Sequence, residues 1–129
     1  MRKGLLIFMG AALVVALLFV GCKSPETLVT EEQSQEIARQ FVLNEATFKY
    51  DGMEETLKLV ATNTLSSPYT WEFVFEFQSR HSGYGDRTGM VLLQVITPHM
   101  ARIAVKEGKV ESAVMDDRWD MMKQKFINS

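Results

Sequence analysis

The chain has 129 residues, of which 14 are basic, 16 are acidic and one is a cysteine, and its formal net charge is −2. The acidic excess argues against nucleic acid as a partner, because phosphate binding needs a basic patch and none is visible. A single cysteine excludes an intramolecular disulfide and a thiolate metal cluster. The fold must therefore be held by one hydrophobic core, which a domain of about 100 residues can supply.

The N-terminal 22 residues form an apolar unit with a charged start. Arg2 and Lys3 precede residues 5–20, which carry no charged or strongly polar side chain, and a glycine and Cys22 follow. This pattern predicts a secretory signal peptide over residues 1–21. The stretch LFVGCKS resembles the lipobox of bacterial lipoproteins, in which the cysteine is acylated and becomes the mature N-terminus. The resemblance implies lipidation at Cys22 and attachment to the cell membrane or the outer membrane.

An uncleaved membrane anchor is the alternative interpretation of the same segment. Residues 5–22 are close to the minimum length of an apolar helix that crosses a bilayer. Both interpretations place the chain from Lys23 onward outside the cytoplasm, because basic flanking residues stay inside.

A short tether over residues 22–29 leads to a predicted helix that begins after Thr30. The sequence TEEQ matches a capping box, in which Thr30 and Gln33 exchange hydrogen bonds at the helix start. Four apolar residues then recur on one helical face, and the helix is predicted to end near Leu43 or Asn44. They are Ile37, Ala38, Phe41 and Val42.

The apolar period then changes from 3.6 to 2, which predicts strands. A turn at Asp51 and Gly52 is followed by a strand over residues 57–65. Residues 69–78 place five aromatic side chains on one face: Tyr69, Trp71, Phe73, Phe75 and Phe77. We interpret this face as the core beneath the helix, and a flat ligand or a sugar is the alternative partner for it.

Three shorter strands and a tail complete the prediction. Residues 90–97 are apolar on both faces, which favours an inner strand. Residues 101–106 and 110–115 form a hairpin around a turn at Gly108. In the tail, Trp119, Met122 and Phe126 have the spacing of a short amphipathic helix.

These elements predict one α+β domain over residues 30–129, with a single N-terminal helix packed across a curved antiparallel sheet of four to five strands and a short C-terminal helix or tail. A sheet that curls around one helix is the arrangement of cystatin-like folds. The cystatin inhibitory motif is absent, since Gln94 is not followed by the glycine that the motif needs.

The order of EIARQFV before VKEGKVESAVMD resembles an exported PepSY domain. The residues that carry the likeness are Ile37, Ala38, Gly108, Val110, Ala113 and Asp116. PepSY domains are implicated in restraining proteases at the cell surface, so the resemblance implies a protease as one class of partner.

The polar stretch SRHSGYGDRTGM, residues 79–90, is the richest candidate for a site. We predict a partner-binding loop built from Arg80, His81, Tyr84, Asp86 and Arg87. A plain turn held by three glycines and a catalytic site are the alternatives, and the loop lacks the spacing of a phosphate cradle.

No catalytic residue, metal site or cofactor is predicted. The connections that carry His81 and His99 are expected at opposite ends of the sheet, so the two histidines should not share a zinc ion. The serines show no visible arrangement with histidine and aspartate. Asp116, Asp117 and Asp120 are interpreted as solvated acids that flank Trp119.

The leading functional hypothesis is a lipid-anchored, extracytoplasmic domain that binds or inhibits an envelope protein or a protease and is not an enzyme. One alternative is a small ligand-binding or enzymatic domain with a pocket lined by the aromatic strand. A second alternative is a structural subunit of an envelope complex, which would expose an apolar strip along residues 90–97.

Overall fold

The computed structural model describes residues 29–128, which form two helices and one antiparallel sheet. The described part is therefore an α+β fold, as the sequence predicts. The predicted signal peptide, the lipidation at Cys22 and most of the tether lie outside the described residues, and those predictions stay predictions.

The first helix, α1 (Glu31–Asn44), begins where the capping box places it. The Gln33 amide donates to Thr30 Oγ1 over 3.0 Å, and the Thr30 amide donates to Gln33 Oε1 over 2.9 Å. Two acidic residues in the first turn suit the positive end of the helix dipole. Local sequence chemistry is therefore sufficient to set this boundary.

A second helix, α2 (Ala46–Asp51), occupies residues where the sequence predicted only a turn before a strand. Glu45 separates the two helices in an extended conformation, and its carboxylate accepts a hydrogen bond from the Thr47 amide over 2.9 Å. This side-chain cap starts a new helix directly after α1 has ended.

Six strands form the sheet, in the order in which they occur along the chain. They are β1 (Gly52–Thr64), β2 (Thr70–Ser79), β3 (Thr97–Lys106), β4 (Lys109–Met115), β5 (Trp119–Asp120) and β6 (Lys125–Phe126). The predicted four to five strands were too few because the tail adds two short ones. The β2–β3 ladder runs without interruption from Thr70 opposite Lys106 to Ser79 opposite Thr97.

The core lies between α1 and the sheet, where α1 packs on β2, β3 and β4. Phe73, Phe75 and Phe77 of the predicted aromatic face are buried there. Trp71 is half-buried against the core, and Tyr69 is exposed and precedes the strand. The buried rings supply much of the apolar area that stabilises a domain of this size.

The predicted inner strand over residues 90–97 is wrong, because β3 begins only at Thr97. A strand over 90–96 would need β2 to continue past Ser79, but the chain leaves the sheet there. Residues 90–96 therefore lie outside the sheet, and their apolar side chains are largely exposed.

The predicted tail helix is also wrong. Trp119 pairs with Met115 of β4 and with Phe126 of β6, so the tail folds as a small hairpin on the sheet. Asp116 and Asp117 have positive φ angles of 55° and 56°, and this left-handed pair reverses the chain before Trp119.

Candidate functional site

Arg87 is the centre of the predicted loop, and its side chain is buried at 1% exposure. Its guanidinium donates to the carbonyl oxygens of Gly85, Ser82 and Gly83 over 2.9, 3.0 and 3.2 Å. It also donates to the Thr47 carbonyl over 2.8 Å and to Asp51 Oδ1 over 3.0 Å. Arg87 thus holds the loop against α2 and does not present a charge to a partner.

Asp51 binds a second residue of the loop. Its Oδ2 accepts from the His81 amide over 2.7 Å and lies 2.9 Å from His81 Nδ1. The His81 side chain is about one-third exposed, whereas the Asp51 carboxylate is buried. A buried carboxylate is stable here because it is paired with Arg87 and hydrogen-bonded to the loop backbone.

Tyr84 joins the loop to the tail hairpin. Its ring stacks on Trp119 at 5.6 Å, and its hydroxyl donates to Asp116 Oδ2 over 2.9 Å. Burial, followed by the hydrogen bond to Asp116 and its negative charge, raises the pKa of Tyr84 to about 12. Tyr84 is therefore a neutral donor over the physiological range of pH.

Two residues of the predicted site are exposed on the loop, Arg80 and Asp86. Asp86 Oδ1 accepts from the Thr88 hydroxyl over 2.6 Å and from its amide over 3.0 Å. These hydrogen bonds hold the pKa of Asp86 below its usual value. Of the five predicted residues, these two alone are fully open to a partner in the described structure.

Ser79, His99 and Asp116 form an arrangement that the sequence did not reveal. His99 Nδ1 lies 2.7 Å from Asp116 Oδ2, and His99 Nε2 lies 3.2 Å from Ser79 Oγ. The order of groups is that of a nucleophile, a base and an orienting acid. However, Ser79 is completely buried, and its hydroxyl donates to the His81 carbonyl over 2.8 Å. The Ser79 hydroxyl is therefore not exposed to a substrate in this structure, and the arrangement joins strand ends.

Two expectations about these residues are wrong. His81 and His99 do not lie at opposite ends of the sheet, because the Ser79 hydroxyl contacts both residues. Asp116 is not a solvated acid, since it also accepts from the Met100 amide over 2.7 Å. Burial acts to raise the pKa of Asp116, but hydrogen bonds from His99, Met100 and Tyr84 outweigh it and hold the pKa below its usual value.

A second buried carboxylate, Glu45, connects the helices to the tail hairpin. Besides capping α2, it accepts from Trp119 Nε1 over 3.2 Å and from Gln124 Nε2 over 2.8 Å. No pattern in the sequence reveals this contact, because Trp119 and Gln124 are more than 70 residues away along the chain.

Residues 90–96, here called the apolar segment, begin three positions after the buried Arg87 and carry no charged residue. Val91 is fully exposed, Leu93 is 71% exposed, and Met90, Val95 and Ile96 are at least half exposed. The Met90 amide donates to the Arg87 carbonyl over 3.0 Å, and the Leu93 carbonyl accepts from the Ser82 amide over 3.3 Å. These two hydrogen bonds attach the segment to the loop over residues 79–90, although most of its side chains are not packed in the core.

A groove of about 530 Å³ also opens at the sheet. It is lined by Glu76 and Gln78, which alternate along β2 with the buried phenylalanines, and also by Phe77 and His99. Glu55 and Lys58 of β1 and the edge of Asp116 complete a polar wall. This groove offers space for a small polar ligand, and a second cavity of about 430 Å³ lies between α2 and the loop, lined by Lys49, Tyr50 and Asp86 among others.

No protein-family model matches the sequence, and comparisons with curated proteins and with solved structures gave no significant match. Between residues 29 and 128, no helix is long and apolar enough to cross a membrane. The same residues contain no cluster of three histidine, cysteine or acidic side chains suited to a metal ion.

Proposed function

We propose that the chain is a membrane-anchored extracytoplasmic lipoprotein whose domain binds another protein without catalysing a reaction. The observation that carries this proposal is the exposed apolar segment. Five of its seven residues are large, apolar and at least half exposed. Exposed apolar surface that is contiguous marks interaction sites in soluble domains, whereas single exposed apolar residues need no explanation.

The polar loop supports this proposal by making the apolar segment a defined surface. Arg87 and the Asp51 carboxylate hold the loop on α2, and the first residue of the segment is hydrogen-bonded to Arg87. A contact surface that is ordered before binding avoids part of the entropy cost of association. The loop thus contributes to recognition through its shape, and only Arg80 and Asp86 add exposed charge.

The position of Val29, where the described chain begins, agrees with a membrane-anchored binding domain. Val29 packs against Gly108 at the β3–β4 turn, whereas the apolar segment enters β3 at its other end, before Thr97. The ten residues of β3 span about 33 Å. The chain therefore enters the domain at one end of the sheet and presents the apolar segment at the other.

Two alternative functions use either the same apolar segment or the groove at the sheet. A structural subunit of an envelope complex would use the same apolar segment in a permanent contact. A ligand-binding or enzymatic domain would use the groove at Glu76 and Gln78, and its volume of about 530 Å³ is sufficient for a small molecule. The PepSY-like form of the proposal adds a protease as partner. The packing of α1 across β2, β3 and β4 supports a cystatin-like fold as part of the proposal.

The proposed function is tested with the full chain expressed in a bacterial envelope. Mass spectrometry should show an acylated N-terminus at Cys22. Crosslinking followed by purification of the chain should recover a partner, and the double variant Val91→Glu/Leu93→Glu should reduce recovery about tenfold or more, because each charge would be buried at the interface.

The matched control is Val60→Glu, since Val60 is an exposed apolar residue at 42% exposure on β1. It should leave recovery unchanged. An unmodified Cys22 behind an intact Met1 would overturn the anchoring, and equal recovery with the double variant and the control would overturn the binding role of the apolar segment.

A further inference from the structure

We propose that the apolar segment pairs with the same segment of a second copy, as two antiparallel strands related by a two-fold axis at Gln94. This inference rests on the proposed function and names its partner. The exposed side chains, the free backbone and the absence of charge in the segment carry it.

The backbone of the apolar segment is ready to form a strand. Residues 90–96 contain no glycine or proline, are rich in branched apolar residues, and run without a turn or a bend. Within residues 29–128, the one backbone–backbone hydrogen bond that reaches 91–96 is accepted by the Leu93 carbonyl. The Val95 carbonyl also accepts from the Thr97 hydroxyl over 2.8 Å. The amides of residues 91–96 and the remaining carbonyls can pair with an added strand.

The edge strand β1 does not offer the same opportunity. Its pairing with β2 shifts register twice, between Met53 and Lys58 and between Leu59 and Ala61. It also carries exposed acidic residues at Glu54 and Glu55. Irregular pairing and charge are the devices that protect sheet edges from adding strands, so strand addition is directed to the apolar segment.

The hydrogen bond from the Ser82 amide to the Leu93 carbonyl sets the pairing. In an extended chain, the amide and carbonyl of one residue point to the same side, and the next residue points to the other. Because the Leu93 carbonyl faces Ser82 of its own chain, an extended segment would turn the backbone groups of Leu92, Gln94 and Ile96 outward. An axis at Gln94 places Leu92 opposite Ile96 of the second copy and Gln94 opposite Gln94.

A second copy fits this surface better than a charged partner. The segment carries no charge, so it gives no preference for a basic or an acidic peptide. Its one polar side chain, Gln94, has both a donor and an acceptor and can pair with itself. Two copies would bury on the order of 1,000 Å² in total, at the lower end of specific interfaces, and attachment to one membrane raises the effective concentration of copies.

Cysteine crosslinking of the full chain in membranes tests the inference. Two residues opposite each other at hydrogen-bonded positions have Cα atoms about 5.5 Å apart, which a disulfide can bridge. Gln94→Cys should therefore give about tenfold more disulfide-linked dimer than Glu111→Cys, an exposed position on β4, at equal expression. The unchanged chain measures any crosslinking through Cys22.

The pairing also predicts a heterologous crosslink, because Leu92→Cys and Ile96→Cys in separate coexpressed copies should link to each other more than each links to itself. Equal dimer from Gln94→Cys and Glu111→Cys would overturn the inference. If a different envelope protein is then recovered and lost in Val91→Glu/Leu93→Glu, the proposed function stands without the second copy. If neither contact is found, both proposals are wrong.

Discussion

Arg87 is a cation inside the protein, and every part of its guanidinium has an acceptor. Backbone carbonyls of its own loop surround one edge, and Thr47 and Asp51 of α2 accept from the other. Its Cζ also lies 4.6 Å from the centre of the Tyr50 ring. A buried charge is tolerated only with such compensation, so these contacts act as one unit.

Replacing Arg87 with methionine should lower the free energy of unfolding by about 3–5 kcal/mol, because it leaves the buried Asp51 carboxylate without its cation. Urea unfolding followed by circular dichroism measures the change. Arg80→Met is the control, since Arg80 is exposed on the same loop and its loss should cost less than about 0.5 kcal/mol. Equal effects of the two variants would show that Arg87 does not hold the loop.

Asp116 makes stability depend on pH. Its pKa in the folded protein is held below the value of about 3.9 expected in the unfolded chain. Its contribution to stability is therefore complete above the unfolded pKa and is lost as the pH falls through the folded pKa. We expect Asp116→Asn to lower the urea midpoint at pH 7 and to have a smaller effect at pH 3.

Asp117→Asn serves as the control for that measurement. Asp117 is the adjacent acid, its side chain is 80% exposed, and its ion-pair contact with Arg102 Nε is long, at 3.6 Å. A surface ion pair of this kind contributes little to stability. A similar pH dependence for both variants would contradict the role of Asp116 at the strand ends.

Among the elements, α2 and the β5–β6 hairpin depend on each other. The Glu45 carboxylate caps α2 through the Thr47 amide and at the same time accepts from Trp119 and Gln124 of the hairpin. Neither element is long enough to be stable alone, since α2 has six residues and each strand has two. Their stability therefore comes from this shared carboxylate and from the rings packed around Trp119.

We expect Glu45→Gln to destabilise the domain by about 2–3 kcal/mol and to loosen the hairpin, because hydrogen bonds to a charged acceptor are lost and the new amide nitrogen faces donors. A red shift of Trp119 fluorescence in a Trp71→Phe background reports the loosening. Glu36→Gln on the exposed face of α1, where Glu36 bonds only to Gln40, should change neither quantity. An unshifted fluorescence spectrum for Glu45→Gln would show that the hairpin does not depend on Glu45 and α2.

At the scale of the whole molecule, the sequence predicted the features that depend on neighbours in the chain. The capping box at Thr30 and Gln33 placed the start of α1, and the alternating phenylalanines of β2 identified the core face. The β3–β4 hairpin followed from its turn at Gly108, which has a positive φ of 83°. Each of these signals is complete within about ten residues.

The candidate site was less predictable because its contacts are distant along the chain. Arg87 finds its acceptors on α2, and His99 meets Ser79 and Asp116 only through the register of β2, β3 and β4. The apolar residues of 90–96 indicated burial, yet the end of β2 at Ser79 left them without a neighbouring strand. The composition of a segment indicates whether it favours burial in a sheet. Whether it is buried depends on where the neighbouring strands begin and end.

The long reach of Glu45 has a consequence for the order of folding. During synthesis, Glu45 leaves the ribosome well before Trp119 and Gln124. Its carboxylate therefore stays hydrated until β5 and β6 have formed. Because distant contacts form slowly, we expect these hydrogen bonds to form late, after the β2–β3 ladder. Mutations around Glu45 should then accelerate unfolding while leaving the folding rate nearly unchanged. The contacts of Glu45 would thus determine the lifetime of the folded domain.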